Sequence, residues 1–477
     1  MERSVLEELD LEKIAKVASE SWDGIFWMES PSTGQYCRPS CDAWVKTGGA
    51  STPILNRDSL PQNTLEPCEL CQPDKVNCSF GEEVLAAIRL KQTLRENLRT
   101  ERTMARVAEC TGLSELEMEQ LCLRHYHKST ASLLDDERGK RAARLLGIET
   151  LSDEEVAIEL GLRSVACLDE ITVRHLGLTA TDYRNLWQDR VYAITLPSGY
   201  RQDLVEPYWT RDPSDVTLQK RGEKYLRTFR LENQACMIEG SFGDGFFKVQ
   251  RVDSLSSSHA FELHHQVLKT LGFASQPSEF QVTMRHQGLE RLYQGREGLR
   301  ITMTPTVFES LVWTILGQQI NLAFAYKLRN RLIRETGERL GENLYAHPLP
   351  GEVARLDVDV LLQHQFSRRK VEYLLDISKR IKDGALPIEV LAQLPYPLMM
   401  KLLLTERGIG LWTARYVAMR GCGFGSCTPV GDAGLRKALK QFFNLEQNPD
   451  SGAMEDLMKQ FSPYQSLATF HLWGMLS

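Results

Sequence analysis

Four cysteines and a glycine hairpin hold most of the chemistry this chain offers. Cys37 and Cys41 frame a tight Arg-Pro-Ser turn, and Cys68 and Cys71 form a C-x-x-C. Each pair places two sulfurs on one ion while the intervening loop folds back, which makes a tetrahedral four-thiolate site for one Zn²⁺. Two roles stay open for such a site: a staple for a domain with few core residues, or a reactive thiolate centre. The second feature is Gly408-Ile409-Gly410, which interrupts two helical runs in "LLLTERGIGLWTARYVAMRGCG". A glycine hairpin there exposes backbone N–H groups at the start of the second helix, where a phosphate sits without any side-chain charge. Non-specific DNA binding follows from that geometry, although G-x-G alone also describes an ordinary helix-helix turn. Further on, Asp432 stands just before "AGLRKAL", the position of a helix N-cap.

Several elements must hold these groups. At 477 residues the chain exceeds what one hydrophobic core supports, so several domains are expected. Its composition is 42% hydrophobic and 25% charged, as in ordinary soluble proteins, and no apolar run reaches bilayer length. The N-terminus "MERSVLEELDLEKIAK" is acidic and amphipathic and lacks the apolar stretch of a signal peptide, so a cytoplasmic protein is expected. Its 11 cysteines are then thiols or metal ligands and not disulfides. The formal charge of −6 does not exclude nucleic acid, because binding depends on local basic patches.

From about 80 to 190 helix formers dominate and proline is absent, with N-cap candidates at Ser114, Ser152 and Thr179. Helices ending in glycine turns at Gly112 and Gly161, each followed by a second helix, make two helix-turn-helix copies joined by "LLDDERGKRAARLLG". Stretches such as "CMIEGSFGDGFFKVQRV" then read as strands with glycine turns, and the remainder is helical. The expected fold is multidomain and mainly α. It comprises a small zinc-bound α+β domain over 1–78, an all-α double helix-turn-helix domain over 79–190, an α+β subdomain over 191–290 and an all-α hairpin domain over 291–477.

"STGQYCRPSC", with Cys68, Cys71 and "QPD", resembles the Ada-type metal-binding domain. The resemblance implies one zinc on Cys37, Cys41, Cys68 and Cys71, and a methyl group taken irreversibly by Cys37 from a methyl phosphotriester in DNA. Four thiolates on Zn²⁺ carry a net charge near −2, which keeps the sulfurs nucleophilic, and methylating one lowers the repulsion from DNA. The chain departs from that family at Glu66 and Glu69, where basic residues usually stand. The helical middle resembles the AraC-type DNA-binding domain, which implies promoter DNA as a partner. There Gln120 and Glu170, the latter beside Asp169, occupy positions that normally bring arginine to the phosphates.

Over roughly 190–477, "GIGLWTARY" followed by "PVGDAGLRKAL", together with "LVWTILGQQINLAFAYKLRNRL" and "SPYQSLATFHLW", resembles the helix-hairpin-helix DNA glycosylases of AlkA type. The resemblance implies a catalytic Asp432, a base pocket of Trp412, Tyr416 and Trp473, a gap-filling Gln319, and a DNA contact at Gly408, Ile409, Gly410 and Thr413. An N-alkylated purine is cationic and leaves readily, so one carboxylate that stabilises the oxocarbenium-like sugar and guides water suffices. Aromatic walls favour the electron-poor base once it is flipped. Trp313 is read as core. Tryptophan at 412, where strand-cutting relatives carry a Schiff-base lysine, implies a monofunctional enzyme. Cys422 and Cys427 lack the spacing of an iron–sulfur cluster. Basic residues near the hairpin are Arg415, Arg420, Arg436 and Lys437.

The expected function is a DNA repair glycosylase for alkylated bases of the 3-methyladenine type, fused to a methyl-accepting regulatory module. The partner is double-stranded DNA, with no membrane, and the protein works as a monomer at the nucleoid. An alkylation-responsive transcription regulator whose C-terminal domain only binds DNA is the alternative, and a zinc-stapled scaffold is a third.

Overall fold

The structure, a computed structural model, describes residues 22–30, 33–41, 52–54, 65–75, 79–99, 103–148, 150–232 and 234–476. The acidic N-terminal stretch read above as no signal peptide lies outside them. Near the N-terminus β1 (Trp27–Ser30), β2 (Gln35–Cys37), β3 (Thr52–Ile54) and β4 (Glu66–Pro67) form a sheet of order β3-β1-β2-β4. Strands of two to four residues cannot bury much, and its fully buried side chains, Trp22, Ile25, Phe26 and Met28, gather around the four cysteines. The sheet brings the pairs together: β2 ends at Cys37, β4 runs parallel beside it, and Cys68 N–H donates to Tyr36 O at 3.1 Å.

Among the described residues seven helices lie between Ser79 and Asn185. Ser114, Ser152 and Thr179 each accept a backbone N–H at a helix start, the first two in capping boxes with Glu117 and Glu155. Gly112 and Gly161 take φ of +70° and +66°, the left-handed turns between paired helices. The two copies repeat a further device. The Glu119 carboxylate accepts from Thr130 N at 2.8 Å, and Asp169 Oδ1 accepts from Ala180 N at 2.8 Å, so each second helix caps the helix that follows it. Asp169 is therefore committed within the fold, while Gln120 and Glu170 beside the two capping acids are exposed.

A five-stranded antiparallel sheet follows, ordered β5-β9-β8-β7-β6 (Val191–Thr195, Phe246–Arg251, Ala235–Gly243, Lys224–Arg230, Leu218–Arg221). It shares one hydrophobic core with the seven helices: Leu168, Leu176 and Tyr183 pack with Ile194, Phe247 and Val249. Tyr183 stacks on Phe261 at 4.8 Å, and Thr195 N donates to Gly177 O at 2.7 Å. From Val307 the chain is largely helical. Helices Val307–Gly317, Leu322–Thr336, Arg368–Lys382, Tyr396–Thr405 and Leu411–Arg420 enclose a second core rich in Leu and Ile. Helices Ala433–Phe442, Ser451–Lys459 and Gln465–Gly474 build a third. No described helix is long and apolar enough to cross a membrane.

Candidate active site

Asp432 is the N-cap of Ala433–Phe442, where its Oδ1 accepts from Leu435 N at 2.7 Å. The same Oδ1 accepts the indole N–H of Trp473 at 3.0 Å, while Trp412 Nε1 lies 3.4 Å from Oδ2. One oxygen is thus fixed by the backbone and an indole, while the other accepts one long hydrogen bond from Trp412 and keeps further acceptor capacity. Gly434 leaves room for this arrangement, since a Cβ there would stand 3.2 Å from Asp432 Oδ1. Trp412 and Tyr416 are one helical turn apart on Leu411–Arg420, with ring centroids 5.6 Å apart, and Trp473 reaches Tyr416 from Gln465–Gly474 at 6.3 Å. Together with Asp432 these rings line a cavity of about 630 Å³.

Other walls of that cavity come from far along the chain. Tyr208 is on the helix Gln202–Trp209 and Arg227 on β7, while Trp313, Tyr326 and Arg329 come from helices Val307–Gly317 and Leu322–Thr336. Trp313, read as core from sequence, packs on Tyr326 at 4.9 Å and is a cavity wall; it is only partly buried because its face borders that space. Burial lowers the Arg227 guanidinium to about 10 and raises the Glu309 carboxyl in the same recess. Arg415 and Arg420 do not present charge to a DNA backbone: Arg415 pairs with Glu455 at 2.8 Å, and Arg420 turns into the cavity.

The hairpin lies next to this cavity. Gly408 takes φ +87°, and a Cβ there would stand 2.4 Å from the Tyr373 ring, so glycine is required twice over. Gly410 caps Leu411–Arg420 with open space around it, leaving the first N–H groups of that helix accessible. Ile409 and Thr413 are buried, so the hairpin offers backbone and not those side chains. Gln318, which sequence reading passed over in favour of its neighbour, braces the turn: its Nε2 donates to Gly408 O at 2.9 Å. Gln319 is exposed, takes φ +57°, and shares with Gly408 and Gly410 a recess of about 330 Å³ that includes Arg369.

The sulfurs of Cys37, Cys41, Cys68 and Cys71 lie within 4.8 Å of one another, and all four residues are buried. A tetrahedral zinc with bonds of about 2.3 Å needs sulfurs about 3.8 Å apart, so the donor set and its size fit one such ion. Arg38 N lies 3.4 Å from Cys71 Sγ, a backbone donor aimed at sulfur as around a metal-bound thiolate. Among the described side chains around the cluster, no cation is free of a carboxylate. Arg38 is held by Asp23 at 3.5 Å, and Glu66 and Glu69 are exposed beside the cluster.

Comparison with known proteins bears on the hairpin half. A family model described as the HhH-GPD superfamily of base excision DNA repair proteins matches residues 312–463. YfjP of Bacillus subtilis (strain 168), by its name a provisional DNA-3-methyladenine glycosylase, is 35% identical over 292 residues, covering 60% of this chain and 99% of that protein. DNA-3-methyladenine glycosylase 2 of Escherichia coli (strain K12) is 30% identical over 187 residues, covering 39% of this chain and 63% of the relative's length. Among solved structures, the 3-methyladenine DNA-glycosylase from Archaeoglobus fulgidus superposes with a TM-score of 0.53 at 19% identity, over 59% of this chain and 97% of that one, a likeness of fold. The 35% identity to YfjP over 99% of that protein, together with a glycine hairpin set beside a capping aspartate and a ring-lined cavity, places the chain in the DNA-3-methyladenine glycosylase family.

Proposed function

We propose that the chain hydrolyses the N-glycosidic bond of alkylated bases in double-stranded DNA. The observation that carries this reading is the convergence of Trp412, Tyr416 and Trp473 on one cavity with Asp432, whose Oδ2 stays available while Oδ1 is anchored. The duplex backbone lies against the N–H groups behind Gly410, and Gln319 fills the gap left by the flipped nucleotide. The rings stack on the electron-poor base. The C1′–N bond breaks with its electron pair going to the base, which leaves neutral if it entered as a cation. Asp432 stabilises the positive charge on the sugar and orients the water whose oxygen bonds C1′, with the proton passing to solvent. Position 412 holds no amine, so the abasic strand stays intact. Purified protein is expected to release 3-methyladenine from methylated duplex DNA without cutting the strand. Absence of release under single-turnover conditions would leave the regulator reading, in which this half only binds DNA.

The N-terminal cysteines are proposed to hold one Zn²⁺, which supplies the charge that keeps four sulfurs deprotonated. An Ada-like reading adds methyl transfer: Cys37 Sγ bonds the methyl carbon while the phosphotriester C–O bond breaks and leaves a phosphodiester. Against easy transfer stand the 2% exposure of Cys37 and the exposed Glu66 and Glu69. Mass spectrometry of the tryptic peptide containing Cys37, after exposure to DNA with methyl phosphotriesters, shows one added methyl if transfer occurs. An unmodified peptide at saturation leaves a structural metal. The AraC-like reading of the helical middle draws its support from the paired helices around Gly112 and Gly161, and binding to promoter DNA is its test.

A further inference from the structure

Trp412, Tyr416 and Arg420 stand four residues apart on one face of Leu411–Arg420, and all three line the Asp432 cavity. Each step of four residues advances about 6 Å along a helix. Trp412 is the step that touches Asp432, so Arg420 marks the end of the cavity away from the glycosidic bond. Helical side chains lean toward the N-terminus, and the arginine accordingly reaches back to donate from Nη1 to the Tyr416 hydroxyl at 3.2 Å. Its plane is held over Phe470, with 5.4 Å from Cζ to the ring centroid. Phe470 in turn stacks on Tyr208 at 4.9 Å.

This far end is polar and unsatisfied. Arg420 Nε is buried without a hydrogen-bond partner, and Arg420 enters no ion pair with a carboxylate among the described residues. Arg227, at the same cavity, has a buried Nη1 without a partner. Buried donors left unpaired are costly, and in a cavity built to admit a ligand the ligand is what pairs them. A flipped purine whose sugar faces Asp432 directs its position-6 edge toward this end. Guanine-type bases carry a carbonyl oxygen there, an acceptor; adenine-type bases carry an amino group, a donor. The electron pair released from C1′–N delocalises onto that oxygen, so a donor at the carbonyl binds the transition state more tightly than the ground state.

We propose that Arg420 is a specificity-determining residue that donates to the position-6 carbonyl of a flipped oxopurine lesion and offers nothing to the amino group in the same place. The inference rests on the excision activity proposed above. Its probe is duplex DNA treated with dimethyl sulfate, from which 7-methylguanine and 3-methyladenine are released together and separated by chromatography. The measured quantity is the ratio of their single-turnover rates for the full chain and for Arg420→Met and Arg420→Lys. Methionine keeps an unbranched stem against Phe470 and removes the donor; the ratio of 7-methylguanine to 3-methyladenine is expected to fall roughly 10- to 100-fold, the range of a lost charge-assisted hydrogen bond. Lysine, which keeps a cationic donor, is expected to restore most of it. An equal loss for both bases in Arg420→Met would reduce Arg420 to a packing role and overturn the inference. So would a wild-type protein that releases 3-methyladenine but no 7-methylguanine, which leaves the proposed activity standing. Release of neither base removes the activity, and the inference with it.

Discussion

Asp432, at the start of Ala433–Phe442, and Asp169, beneath Ala180–Asn185, each accept a backbone N–H at a helix N-terminus, at 2.7 and 2.8 Å. Around Asp432 three aromatic rings converge, two of them with an indole N–H near its carboxylate. Around Asp169 the neighbours are Ala166, Val173, Arg174 and residues 195–198 at the end of β5 and beyond it, in an open cleft without an aromatic ring. Capping is therefore common ground, and what separates the two carboxylates is the cavity that one of them faces. The contrast also changes how acidity in the helix-turn-helix copies is read. Glu119 and Asp169 sit in matching places and cap matching helices, so those acids serve the fold. Of each adjacent pair, only Gln120 and Glu170 are exposed to solvent. Both copies are tied to the glycosylase half, the second through the sheet core and the first through His127, whose ring packs tilted against Tyr396 at 4.2 Å and accepts from Ser426 N at 3.1 Å.

The comparison breaks most readily at the hairpin. Gly408→Ala forces a left-handed alanine into the Tyr373 ring, so a loss of about 3 kcal/mol in stability and a matching drop in affinity for undamaged duplex are expected in denaturant melts and anisotropy titrations. Wild-type values would mean the turn is not rigid. Next, Trp473→Ala removes both a stacking wall and a hydrogen bond to Asp432, and kcat/KM for base release is expected to fall about 100-fold. A change below a few-fold would detach the rings from the site.

The seam at His127 responds to pH. Burial holds its imidazole at about 3 against 6.5. Between those values the unfolded chain binds more protons than the folded one, so the stabilisation is complete above pH 6.5 and declines as pH falls toward 3. At pH 5 the loss is about 2 kcal/mol. Hydrogen exchange within Glu115–Tyr126, corrected for intrinsic rates, is expected to speed up between pH 7 and pH 5. His127→Gln should flatten that difference, and an unchanged profile in the variant would place the pH response elsewhere. The smallest effects belong to the caps. Glu119→Ala and Asp169→Ala each are expected to cost about 1 kcal/mol in thermal melts and to leave base release as it was. A fall in excision from either would show that the helical middle takes part in the reaction.

What sequence made legible is mostly local. Ser114, Ser152, Thr179 and Asp432 are caps because a short polar side chain precedes a helical run, and the structure has all four in that role. Trp412 and Tyr416 share a face because they are four apart. The four cysteines meet because each pair is itself local and the sheet brings β2 to β4. What stayed hidden depends on contacts distant in the chain. Tyr208, Trp313 and Tyr326 reach the cavity from other elements, with no spacing that links them to Asp432. Thr413 and Arg415 look available on paper, yet one faces Gln318 and the other is held by Glu455. Gln318 and Gln319 are adjacent and alike, and only the backbone of the turn decides that one braces the hairpin while the other is exposed.

Asp432 is proposed to act on the sugar as well as on its helix. Asn at that position keeps an oxygen for Leu435 N and so keeps the cap, but removes the negative charge. Single-turnover release of 3-methyladenine from methylated duplex is therefore expected to fall about 1,000-fold or more in Asp432→Asn while the melting temperature stays at the wild-type value. Release at the wild-type rate by a folded Asp432→Asn protein would contradict the account and leave Asp432 a cap like Asp169.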